Sequence, residues 1–298
     1  MQVAGQGGIP SGGAAAVVLN VAVTNTTANG VLIAYPTGSG QPSTSNINFV
    51  AGQTISNLVQ LPLGTSGQVA LTSVGSSADL ILDVEGYVAQ IASGTAGLMN
   101  PLNPSSRICD TRGGLGTPCS GQTVAANGSL NIQVTGQGGI PSSGVQAVVM
   151  NAAVTNAATS GSLTVYPAGQ AIPSTTNLNW WAGQTLSNRV VVPVGTGGQV
   201  TLVNRSGGSA DFIVDVFAWT TDGSNPSASG SEYGAVLASR VCDTRAGSGT
   251  QCAGQTVQAS GTLTIQVAGL AGVPSMSSST PPTAIDVNVA ATGGAAGG

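Results

Sequence analysis

From residue 145 the chain reads VQAVVMNAAVTN, and its alternation sets Val148, Met150, Ala152 and Val154 on one face of a half-buried strand. A period of two with many β-branched side chains also marks LNIQV (130–134), SLTVYP (162–167), TTNLNWW (175–181), TLSNRVVVPV (185–194), QVTLVNR (199–205) and DFIVDVFAW (211–219). AGQ, GTGGQ and RSGGS stretches separate them with turn-forming residues. With one more strand at RICDTR (107–112), about eight short strands fall within about 130 residues. The 45 glycines and 15 prolines interrupt the chain too often for long helices. The expected fold class is all-β, an antiparallel β-sandwich of jelly-roll type, with closure into a barrel as the other arrangement of such strands.

The pattern then repeats. VAGQGGIP (3–10) returns as VTGQGGIP (134–141), and PSTSNINFVAGQTISNLV (42–59) as PSTTNLNWWAGQTLSNRV (173–190). SADLILDVEGYV (77–88) returns as SADFIVDVFAWT (209–220), and IQV at 132–134 as IQVAGLAGVP from 265. Tandem sandwich units of about 130 residues are expected: 1–100 without its opening strand, 101–235 complete, and 236–298 holding only the opening of a third. IASGTAGLMN (91–100) and SNPSASGSEYGA (224–235) have the composition of linkers. Such a frame fits an excerpt of a longer array, an arbitrary stretch, or a subunit whose residues 240–265 complete the first unit of a neighbour by strand addition.

Composition narrows the function classes. In 298 residues 41% are apolar, enough for normal cores, but only 5% are charged, and all six basic residues are arginines. A net charge of −4 without a basic cluster argues against nucleic acid. Mean hydropathy is +0.27, yet the longest apolar stretch, AAAVVLNVAV (14–23), is broken by Asn20 and too short to span a bilayer, so membrane insertion is not expected. MQVAGQGGIP lacks a charged start and apolar segment, so no signal peptide is read. Without His or Lys, Ser-His-Asp and Ser-Lys chemistry are excluded. Asp211 and Asp215 lie about 13 Å apart along a strand, beyond the spacing of glycosidase carboxylates. No enzyme activity is expected.

The four cysteines and four of the arginines sit in two copies of one loop, RICDTRGGLGTPC (107–119) and RVCDTRAGSGTQC (240–252). Disulfides Cys109–Cys119 and Cys242–Cys252 are expected, and with them an oxidising compartment. Two thiols per unit and no His leave a zinc site short of ligands, so no metal is expected there. Strand alternation turns Asp110 and Arg112 to one side, Cys109 and Thr111 to the other, and Asp243 and Arg245 repeat the arrangement. Arg107 or Arg112 is expected to pair with Asp215 as a structural ion pair, with Asp211 beside it and Arg240 as the third unit's counterpart. Asp79 and Asp83 are the first unit's matching carboxylates. A Ca²⁺ site built from these carboxylates is the alternative reading; no cofactor is otherwise expected.

Trp180 and Trp181 are adjacent in a polar strand, so one indole is free to stack on a sugar, although the first unit has Phe49 and Val50 there. Asn25, Asn127 and Asn204 open NxS/T triplets that can accept glycans, and SMSSSTPPT (275–283) has the look of an O-glycosylated loop.

Taken together, Arg-x-x-Asp-Thr-Arg, a Gly-rich loop, GQGGIP, an Ala/Val strand ending in VTN, a YP turn, SNxN with AGQT and a closing IVDV resemble the repeat of large secreted or surface-anchored bacterial proteins, common in actinobacteria and their relatives, whose opening motif reads RLLDTR. Cys109 and Cys242 depart from that motif at its third position, and Leu58 stands where the next unit has Arg189. The resemblance implies an extracellular structural or adhesive module. The expected function is a cell-surface stalk, layer or filament built by stacking or strand exchange, its partners further copies or further repeats of the same chain. A carbohydrate-binding adhesin, with glycans as partners, is the alternative.

Overall fold

The computed structural model describes residues 1–89, 94–225, 230–234, 236 and 239–291. Alternating Val and Ala runs make six strands in the first 89 residues: β1 (Ala14–Thr24), β2 (Gly30–Pro36), β3 (Ile47–Phe49), β4 (Ile55–Pro62), β5 (Val69–Val74) and β6 (Asp79–Ala89). They form two antiparallel sheets, β4-β1-β6 and β3-β2-β5. Eight strands follow: β7 (Ala96–Asp110), β8 (Ser129–Gln133), β9 (Val145–Thr155), β10 (Gly161–Pro167), β11 (Leu178–Trp180), β12 (Leu186–Pro193), β13 (Gln199–Ser206) and β14 (Asp211–Asp222). Their sheets run β12-β9-β14-β7 and β11-β10-β13-β8, the strand order of a jelly roll.

The inward positions of β9, Val148, Met150, Ala152 and Val154, are all buried, and Val17, Leu19, Val21 and Val23 of β1 are their counterparts in a separate core. Registers agree as well: Leu19 lies opposite Val59 on β4 as Met150 lies opposite Val190 on β12. The strands β1 to β6 thus answer to β9 to β14 in order and pairing, and among the described residues the first sandwich has no strand at the places of β7 and most of β8. Met1–Val3 reach that region, where Gln2 bridges Gln68.

The expected linker 91–100 is corrected in part. β7 begins at Ala96 and pairs Met99 and Asn100 with Thr220 and Trp219, so residues 96–100 are strand; residues 90–93 lie outside the described residues. The Ser and Gly content of that stretch misleads because β7 is an edge strand, which tolerates residues poor in strand propensity. Within 224–235, residues 226–229 and 235 lie outside the described residues, and Ser231 bridges Met99.

Residues 239–298 form a second compact unit, distinct from 1–238. Among its described residues there is no strand, although Ile285, Val287 and Val289 keep a period of two and are exposed. No helix among the described residues is long and apolar enough to cross a membrane.

Candidate functional site

The repeated loop is where the few charges gather. Cys109 and Cys119 are bonded, as are Cys242 and Cys252, each pair with Cα atoms 5.2 Å apart. Cys109 lies in the core one residue before the end of β7, and the Gly-rich turn brings Thr117 back so that its hydroxyl accepts from the Asp110 amide at 2.9 Å. Asp110 is buried, and Arg112 grips it with Nε at 2.9 Å and Nη2 at 2.7 Å while Arg107 adds Nη1 at 3.2 Å. Arg107 also reaches across to Asp215 on β14 at 2.8 Å, the cross-strand contact expected of one of the two arginines. The Arg112 guanidinium holds the Asp110 carboxyl below its ordinary range, and Arg245 does the same for Asp243. Arg240 reaches Asp243 at 3.2 Å and Arg245 reaches it at 2.6 Å, so the second loop is a local copy of the first.

Asp211 differs from that expectation. Its partners are the hydroxyls of Thr111 (2.9 Å) and Thr123 (2.8 Å) and the amide of Asn156 (2.9 Å). Burial pushes this carboxyl up, but those three donors outweigh it and leave it below its ordinary value. It is a neutral-donor clamp between β14 and the loop rather than half of an ion pair. Among the described residues no three His, Cys, Asp or Glu side chains converge.

The two tryptophans separate as alternation requires. Trp180 is 2% exposed, donates its indole N–H to the Thr159 carbonyl at 2.9 Å, and meets Phe212 edge-on with centroids 5.9 Å apart; it belongs to the core and is withdrawn as a sugar platform. Trp181 is 45% exposed. Asn204 is also withdrawn as a glycan acceptor: it is buried, and its amide donates to the carbonyls of Val124, Ala125 and Gly208. Asn25 and Asn127 are exposed turn residues with positive φ.

A polar junction between the two sandwiches of residues 1–238 escaped the sequence reading. On one side is the outer face of β4-β1-β6, on the other the margin formed by β11 and β12. Asn188 donates to Asn20 Oδ1 at 2.9 Å and accepts from the Leu58 amide at 3.0 Å; Asn20 in turn donates to the Thr176 carbonyl. Glu85 accepts from the Asn177 amide at 2.5 Å and from the Val191 N–H at 3.0 Å. The available signal was small: where matched segments otherwise agree, Leu58 and Glu85 of the junction face are replaced by Arg189 and Phe217 in the second sandwich.

Burial at this junction pushes the Glu85 carboxyl up to about 7 from its ordinary 4.5, and raises Asp83 as well. Both groups bind protons more tightly folded than unfolded. The Glu85 contribution is complete below about pH 4.5 and is lost as pH rises through 7, so stability should fall across that window by up to about 3 kcal/mol. Urea midpoints measured from pH 4.5 to 7.5 check the slope, and Glu85→Gln should flatten it. A midpoint that rises with pH would contradict the assignment.

Among the described residues no strand pairs with the outer edge of β6, and on that of β5 Met1 exchanges hydrogen bonds with Val69. Leu80, Leu82 and Val84 are half-buried where Phe212, Val214 and Val216 are buried, and Ile81 is exposed where Ile213 is not. Beside β1 and β6 lies a groove of about 530 Å³ lined by Val3, Gly7, Leu19, Leu82 and Val84, with Thr175 of the second sandwich also on its wall.

No protein-family model matches the chain, and no curated protein matches it significantly. Among solved structures, one described as the structure of infectious bursal disease virus, Gx strain, aligns with a TM-score of 0.22 and 12% identity, covering 71% of this chain; the chain spans 59% of that structure's length.

Proposed function

We propose that this protein is an extracellular structural repeat protein, whose sandwiches stack head to tail into a cell-surface stalk, layer or filament. The observation that carries this reading is the junction. It joins two different surfaces, the outer face of one sandwich and the β11–β12 margin of the next, and a contact between unlike patches propagates instead of closing on itself. The second sandwich offers Asn151, Ser187 and an exposed Phe217 at the positions of Asn20, Ser56 and Glu85. Two disulfides suit an oxidising exterior, and a surface with so few charges lets neighbours approach without repulsion. Sedimentation velocity of the full chain over a wide concentration range should show species larger than one chain; a single monomer boundary throughout would sink the proposal.

One feature favours a second reading. The exposed Trp181 indole offers a sugar-stacking platform to an adhesin. Glycan-array binding abolished by Trp181→Ala would establish it, and absence of binding would discard it.

A further inference from the structure

We infer that the junction between the two sandwiches is a proton-operated hinge: protonated, Glu85 holds residues 1–89 and 96–222 together, and ionised, it lets the two sandwiches swing apart with each still folded. The contact lies within one chain, so the inference stands whether or not chains stack; where they do, it supplies the regulation of the stacking contact.

The junction is a meeting of two sheet edges. β4 ends the sheet β4-β1-β6 and β12 ends β12-β9-β14-β7, so each carries backbone N–H groups that its own sheet leaves without a strand partner. Each sandwich caps the other's edge with a side chain. Asn188 Oδ1 accepts from the Leu58 N–H at 3.0 Å, and Glu85 Oε2 accepts from the Val191 N–H at 3.0 Å. Around these caps the contact is made by neutral groups: the amides of Asn20, Asn177 and Asn188, and the Ser56 hydroxyl, which donates to the Asn177 carbonyl at 3.3 Å. Two carboxylates are set into this neutral surface. Asp83 accepts from the Thr176 N–H at 3.4 Å, and Glu85 Oε1 from the Asn177 amide at 2.5 Å. They stand two positions apart on β6 and meet consecutive residues of the other sandwich. Closing the junction therefore withdraws two neighbouring like charges from water together, which favours the uncharged acid.

A β-bulge aims Glu85 at this contact. Leu19 lies opposite Val84 and Val18 opposite Gly86, so Glu85 is the extra residue. The second sandwich has the same bulge, with Met150 opposite Val216 and Val149 opposite Ala218, and there the extra residue is Phe217, 39% exposed. The sandwich itself thus has no need of a carboxylate at this position; the acid belongs to the junction.

The charged groups facing Glu85 are Asp83 on its own strand and Arg189 on β12, while β1, β4 and β11 bring up Asn20, Leu58 and the Asn177 side of the margin. Burial and Asp83 favour the neutral acid, the two donors and Arg189 favour the carboxylate, and burial is the largest of these. Its carboxyl, raised from 4.5 to about 7, binds its proton more tightly in the closed junction than in water. Closure is therefore fully supported below pH 4.5, and its equilibrium constant falls by up to about 300-fold as pH rises through 7.

Amide exchange of the full chain, followed by NMR and expressed as protection relative to free-chain rates at each pH, reads the hinge at Leu58 and Val191, whose acceptors lie across the junction. Their protection should fall by about 70-fold between pH 5 and pH 8. It should also stay below that of Val21 and Met150 in the central strands β1 and β9, because opening does not require unfolding. In Glu85→Gln the fall should vanish, with an unchanged circular dichroism spectrum showing that the fold survives. Protection that does not change with pH, or a fall that persists in Glu85→Gln, would overturn the hinge. So would protection at Leu58 and Val191 equal to that at Val21 and Met150, since exchange would then require unfolding of a whole sandwich. None of these outcomes decides whether chains stack, which sedimentation tests separately.

Discussion

Trp180→Ala should lower the unfolding free energy of the second sandwich by about 3–5 kcal/mol, the usual cost of truncating a buried aromatic. Trp180 is among the largest fully buried side chains, its ring contacts Phe212, and its removal orphans the Thr159 carbonyl that the indole N–H satisfies. The first sandwich uses Phe49 at this position, so Trp180→Phe should recover most of the loss, leaving chiefly the missing hydrogen bond, about 1 kcal/mol. Trp181→Ala should stay within about 0.5 kcal/mol because its neighbour alone faces the core. Urea denaturation followed by tryptophan fluorescence and circular dichroism measures all three; near-equal effects at 180 and 181 would refute the assignment of faces.

The paired change Cys109→Ala with Cys119→Ala should cost about 2–3 kcal/mol in the chain-entropy picture of a short closed loop. Both sulfurs sit in the core, and the loop carries Thr111 and Arg107 to Asp211 and Asp215, so loosening it weakens the seam between β7 and β14. The matching pair Cys242→Ala with Cys252→Ala lies outside that core and should leave the unfolding of residues 96–222 unchanged. A comparable loss from both pairs would show that the disulfides stabilise by some route other than the local seam.

These features were open to sequence reading for physical reasons. Period-two alternation reports a sheet with one buried face, which is why Val148, Met150, Ala152 and Val154 are legible as inward positions, and a ring of few residues rich in Gly leaves the cysteines little choice of partner. Asp215 was found through its strand pattern. Asn204 was misjudged because an NxS triplet is a local string, while burial is set by β13 lying between β8 and β10. The start of β7 was misjudged because edge strands tolerate the composition of linkers. The junction was hidden most deeply: Asn20 and Asn188 are far apart in sequence, and nothing in either local pattern says that their faces meet. Only the exchange of Leu58 and Glu85 for Arg189 and Phe217 between matched segments hinted that the two outer faces have different neighbours.

Head-to-tail stacking is tested most directly by electron microscopy of native material. Linear assemblies with an axial repeat of one or two sandwiches are predicted. Isolated particles of single-chain mass at every concentration would contradict it.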